Sequence, residues 1–313
     1  MKKLFITIVA LGSMVSCIKD DVVNKSKMPI TFGGTFVEDV TRAVQDPSYG
    51  DAKLIDQFTV WGVVTGNVGS ANLYGGDGTV VSRGGAAYGS PFASTEQEWW
   101  ISNADYKFAA VANHTSVTLA NGLPSSIKYT ANGTADLIYA QPVAVETDAK
   151  AAPARSTGIA NVGVNTNDCV PFVFSHLLSK VQFTFVSTSQ PLVVTEIKVT
   201  SGHFSEGTYS IGTETWDSTT AATTAMEFGN ADGTVTTAGT TSQYARLIIP
   251  GTQTLNISFK QGDEVMTPTL ENFTFEPNKA YNILVTLQGA SAITFVINTL
   301  EAWGVETDVP LDF

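Results

Sequence analysis

The chain carries 17 basic and 29 acidic side chains in 313 residues, a formal charge of −12. So acidic a surface has little with which to neutralise a phosphate backbone, which argues against nucleic acid as a partner. The length suits two domains better than one, and a 43% hydrophobic share with 17 Phe, 9 Tyr and 5 Trp supplies apolar surface for packed cores.

At the N-terminus, Lys2 and Lys3 precede the apolar run 4–12 (LFITIVALG), the build of a secretory signal. A spanning helix needs about 20 apolar residues, so this stretch is too short to remain as a membrane anchor. Its end, Met14-Val15-Ser16-Cys17, resembles the bacterial lipobox, where signal peptidase II cuts ahead of a lipid-bearing cysteine; Met14 stands where that motif usually has Leu. Residues 1–16 therefore read as a lipoprotein signal peptide, Cys17 as the lipid attachment point and 17–29 as a tether. Acyl chains contribute about 0.8 kcal/mol per buried methylene, so several on one cysteine hold a protein firmly to a membrane. Lys19-Asp20-Asp21 either resembles a signal for export to the outer face of the outer membrane or is a solvated tether. Losing Lys2 and Lys3 with the signal leaves 15 basic against 29 acidic residues, a charge of −14. Besides Cys17 there is only Cys169, so no intramolecular disulfide is expected.

From residue 57 onward the dominant period is two. Residues 57–61 (QFTVW), 179–185 (SKVQFTF), 255–260 (LNISFK) and 281–287 (YNILVTL) alternate, and 273–275 (FTF) and 293–297 (ITFVI) extend the pattern. Asn121-Gly122, Asn132-Gly133, Asp232-Gly233 and Pro277-Asn278 punctuate these runs as turns. The spacing predicts an all-β chain of antiparallel sandwiches, each needing about 100 residues. Residues 65–98, rich in Gly and Ser, read as a long excursion, and 147–168 as a loop. Two stretches offer a domain break, 147–168 and 187–191 (STSQP); the second, with about seven strands before it and seven or eight after, is favoured and sets the domains at 30–188 and 189–313.

Residues that carry chemistry are scattered. His114, His176 and His203 lack metal-ligand spacing, and His176 sits in 172–178 (FVFSHLL), where a packed strand histidine is expected. Residues 75–79 (GGDGT) lack the Lys-Ser/Thr and the helix of a phosphate loop and predict a turn. Cys169 reads as a small buried hydrophobe. Trp99-Trp100 is either a sugar-stacking platform or core. Asp217-Ser218-Thr219 resembles a bacterial O-glycosylation acceptor. No catalytic residue, metal site or cofactor is expected.

Several stretches taken in order carry a family resemblance. They are Ile30-Thr31-Phe32 with Thr41-Arg42-Ala43, then 58–62 (FTVWG), 106–108 (YKF), 136–140 (DLIYA), 173–181 (VFSHLLSKV), 281–285 (YNILV) and Trp303. Behind a lipobox and spread over nearly the whole mature chain, they resemble the fimbrillin family, the type V pilus subunits and their accessory proteins. The resemblance implies two tandem transthyretin-like β-sandwich domains, no enzymatic activity, and a lipid-anchored passage to the outer membrane and cell surface. It implies a structural or adhesive subunit whose partners are other pilus subunits, with host or bacterial surface proteins or glycans as further targets. In stalk subunits of the family an Arg-specific protease removes the first strand, and a neighbour's strand fills the vacated groove.

On that pattern Arg42 and Ala43 flank the maturation cut, which would release 17–42 with the lipid; the alternative is that Arg42 is an ordinary exposed arginine. The tail offers a donor strand: Val305, Val309, Leu311 and Phe313 share one face with Thr307, while Glu306, Asp308 and Asp312 share the other. Equally, the tail is the last strand of its own domain. The rival function is a glycan-binding surface lipoprotein in which Trp61, Trp99 and Trp100 stack on sugars.

Overall fold

The computed structural model describes residues 29–36, 57–66, 69–83, 92–147, 153–155, 169–288 and 293–302. Among them the regular elements are strands. The first run comprises β1 (Thr31–Phe36), β2 (Gln57–Gly66), β3 (Ala71–Asn72), β4 (Thr79–Arg83), β5 (Phe92–Ser94), β6 (Ala104–Ala112), β7 (Ser116–Ala120), β8 (Leu123–Thr130), β9 (Ile138–Thr147), β10 (Pro153–Arg155) and β11 (Cys169–His176). The second begins with β12 (Ser179–Ser187), β13 (Val194–Ser201), β14 (Phe204–Ser210), β15 (Thr215–Ala221), β16 (Met226–Gly229) and β17 (Thr240–Thr241). It ends with β18 (Arg246–Ile248), β19 (Gly251–Gln261), β20 (Glu264–Met266), β21 (Thr269–Phe275), β22 (Lys279–Leu287) and β23 (Ile293–Ala302).

Nine strands of the first run form one sheet whose pairings return to their start: β9–β11–β1–β5–β4–β2–β6 and back to β9, with β3 and β10 attached to β2 and β9. Alternation dictates the result. In β11 the even-numbered Val170, Phe172 and Phe174 are buried while their neighbours lie half-exposed. They meet Phe32, Phe58, Val60, Tyr106 and Phe108 in one aromatic core. Closure leaves β1 paired along one side with β11 and at Phe32 with β5 on the other, which covers part of its second edge.

The second run makes a sandwich. One sheet runs β17-β12-β22-β23 with β18 on β12; the other runs β16-β13-β19-β20 with β21 on β19. Val181, Phe183, Phe185, Ile283 and Val285 from the first interdigitate with Val199, Ile257 and Phe259 from the second. The β12–β22 ladder is parallel, from Ser179↔Lys279 to Ser187↔Leu287. This strand lies on the N-terminal side of a cut at 188, yet its partners are β17, β18 and β22. All three ladders of β12 are thus with strands that follow it in the chain.

A fourth sheet, β15-β14-β8-β7, draws strands from both runs. Under it Trp61, Val111, Tyr129 and Tyr139 pack with Leu177, Leu178, Tyr209, Leu247 and Ile249. The two sandwiches thus share a third core. Residues 65–98 depart from the expected excursion, because β4 and β5 are members of the closed ring. Their segments are too short for a period to stand out beside the glycines.

Candidate functional site

The segment that completes the closed sheet is β1. It lies parallel to β11 from Thr31↔Cys169 to Phe36↔Phe174, but meets β5 only at Phe32↔Phe92. Ahead of it, Ile30 N–H donates to the Glu98 carbonyl at 2.9 Å, and Pro29 bridges to Trp99. Phe32 is the plug of this strand. Fully buried, it stacks on Phe172 at 5.7 Å between ring centroids and meets Phe108 edge-on at 5.6 Å and Tyr74 at 6.4 Å. At Gly33 a side chain's Cβ would sit 3.3 Å from Cys169 Sγ, so the thiol uses the space that the glycine leaves.

Two polar atoms in this core have no hydrogen-bond partner, the Tyr74 hydroxyl and the Trp100 indole nitrogen. Burial, with the nearby Glu98 carboxylate, pushes the Tyr74 hydroxyl well above its ordinary range. Without β1, the β11 and β5 edges would be unpaired above a slot lined by Phe108, Phe172 and Tyr74. Unpaired edges beside an apolar slot are a surface on which a strand can add. No period marks Tyr74 in the sequence, where it precedes Gly75-Gly76.

The other expected site residues divide in two. Cys17, Arg42, Ala43, Val305, Val309, Leu311 and Phe313 lie outside the described residues. Arg42 follows Phe36, the last residue of β1, by six positions, and Val305 follows Ala302, the last residue of β23, by three. Among the described residues β23 pairs with β22 alone and forms an edge of its sheet, with Val296 half-exposed.

The remaining candidates have structural surroundings. His176 is buried, with Nδ1 2.5 Å from Asp136 Oδ2, and the Asn113 side-chain amide donates to the Asp136 carbonyl at 2.7 Å. This pair fastens the segment before β9 to the end of β11, as a packed strand histidine would. Among the described residues no group of three or more His, Cys, Asp or Glu is placed to hold a metal ion. The three tryptophans do not assemble a sugar platform. Trp61 and Trp100 are buried, and Trp99 is 38% exposed. Trp100 packs edge-on against Tyr106 and Phe108 beneath the sheet, while neighbouring Trp99 faces the other way. The 75–77 segment is a turn whose Gly76 carbonyl accepts the Trp61 indole N–H at 3.2 Å.

An all-β chain of two joined sandwiches, with the first of the described strands closing the N-terminal sheet, defines the class. The fimbrillin-like family model matches residues 41–303, and the chain belongs to that family. A crystal structure of a candidate cell adhesion protein from Bacteroides ovatus is similar, with a TM-score of 0.57 at 16% identity, covering 90% of this chain and 99% of that one. A second, from Bacteroides uniformis, has a TM-score of 0.49 at 16% identity, with 88% and 98% covered. A fimbrial assembly protein from Parabacteroides distasonis has a TM-score of 0.45 at 10% identity, with 87% and 96% covered. No curated protein matches in sequence.

Proposed function

We propose that this chain is a non-enzymatic subunit of a cell-surface fimbria, delivered as a lipoprotein through Cys17 and joined to its neighbours by replacement of β1. The observation that carries the reading is the position of β1. It is hydrogen-bonded along one side and at one residue pair on the other, it plugs the core with Phe32, and it immediately precedes the segment that contains Arg42. Cleavage after Arg42 would free residues 17–42, lipid and first strand together, and leave an apolar slot for an incoming strand. A tail leaving edge strand β23 with alternating Val305, Val309, Leu311 and Phe313 has the pattern of such an incoming strand. Head-to-tail filling of one slot by the next subunit's tail is a heterologous contact that propagates as a fibre.

The test is N-terminal sequencing of the surface-exposed protein, together with a mildly heated gel. The wild-type chain should begin at Ala43 and give a ladder of multimers; Arg42→Ala should keep its lipid and remain monomeric. A variant that polymerises with β1 still attached would refute the exchange.

A further inference from the structure

We propose that Ser218 is the acceptor of a covalently attached O-glycan. Asp217-Ser218 is the one place in the sequence where Ser or Thr follows Asp. The structure puts that pair on β15, where residues 217–221 are all exposed. Among the described residues β15 pairs only with β14, so its outer edge is open to an enzyme.

The local geometry singles out Ser218. Glu206 pairs with Thr220 and Thr208 with Asp217, so Ser218 and Thr219 together stand opposite Gly207, a bulge of two residues against one. Ser218 adopts φ +49°, a conformation that non-glycine residues seldom take. The two residues before it are held in place. Trp216 is held inward by its indole N–H donating to the Leu177 carbonyl at 2.9 Å. Asp217 Oδ2 accepts from Ser210 Oγ at 2.7 Å and from Thr215 Oγ1 at 3.4 Å. A hydrogen-bonded carboxylate thus stands beside a residue that the bulge takes out of the ladder, on a solvent-facing strand.

A sugar here also answers a physical need. Edge strands are usually protected by Lys, Pro or bulges against pairing with another chain. Among residues 215–221 (TWDSTTA) there is neither Lys nor Pro, and the bulge and the single charge of Asp217 are what protect the edge. A bulky hydrated group at the bulge would block edge-to-edge association without disturbing the core. The chemistry balances with a sugar linked to a diphosphate as donor. The bond from the anomeric carbon to the phosphate oxygen breaks, the bond from that carbon to Ser218 Oγ forms, and the hydroxyl proton passes to a base on the transferase.

The experiment is mass spectrometry of tryptic peptide 199–246 from full-length protein recovered from the surface of a Bacteroides host. The wild-type peptide should carry the mass of one or more sugar residues, and electron-transfer fragments should place that mass on Ser218. Ser218→Gly, which takes the same φ without strain, should lose it completely, whereas Thr219→Ala should keep it. An unmodified wild-type peptide, or a sugar that persists in Ser218→Gly, overturns the proposal. Fragments of the wild-type peptide decide the site even if a variant accumulates poorly, and the readout is independent of fibre assembly.

Discussion

His114 and His203 are kept neutral by burial. Burial pushes both imidazoles down from the ordinary value of 6.5, and neither Nδ1 has a hydrogen-bond partner. In the unfolded chain both would titrate near 6.5, so below that pH the unfolded state takes up protons that the folded state resists. Their contribution is intact above pH 6.5 and is lost as the pH falls through the lowered folded values. The urea midpoint should therefore drop between pH 7.5 and pH 5, and a double His114→Gln, His203→Gln variant should lose less over that interval. Identical drops in both proteins would show that these histidines are not the cause. Residue identity also explains one thing that the sequence only half revealed. The glycines of 75–79 read correctly as a turn, but their purpose depends on Trp61, fourteen or more positions away. At Gly78, φ is +69° and a Cβ would lie 2.7 Å from the Val60 carbonyl oxygen and 2.8 Å from the Trp61 ring. No local pattern signals that approach.

Among the elements, those with a sustained period of two were legible: β2, β12, β19, β22 and β23 all lie where alternation placed them. Partners were not legible, because a period states which face is buried and not which strand lies alongside. The parallel match of β1 to β11 spans more than a hundred residues of sequence, and Phe32 looks locally like any strand phenylalanine. The same gap hides that β12 pairs with β17, β18 and β22. Because Cys169 Sγ packs into the space above Gly33, its thiol reports on β1. In a chain beginning at residue 18, Cys169 is the sole cysteine. If β1 leaves after cleavage, a bulky maleimide should label Cys169 at least several-fold faster in the cleaved monomer than in the intact chain, and slowly again in multimers. Equal rates in intact and cleaved monomers would mean that β1 stays in place.

For the whole molecule, the decisive feature is the sheet that joins β7 and β8 to β14 and β15. The slot at β1 belongs to the closed N-terminal sheet, and β23 belongs to the C-terminal sandwich. If neighbouring subunits join at those two places, a pull between them would pass through the backbone between β11 and β12 and through this shared sheet and the core beneath it. Trp216 is its fastener. Its ring meets Tyr209 at 5.7 Å and Tyr129 at 6.5 Å, and its indole N–H reaches the Leu177 carbonyl. It lies over Gly207, where a Cβ would come within 2.9 Å of the ring. Truncating a fully buried Trp costs about 3–5 kcal/mol; Trp216 is half-buried, so its loss should cost less, and it falls on the join and not on either sandwich core. Trp216→Ala should therefore do more than lower the melting temperature. It should split one cooperative calorimetric transition into two, as the sandwiches melt separately. Gly207→Ala, which pushes the same ring outward, should act in the same direction. A single transition at an unchanged midpoint in both variants would show that the sandwiches are coupled by something other than this sheet.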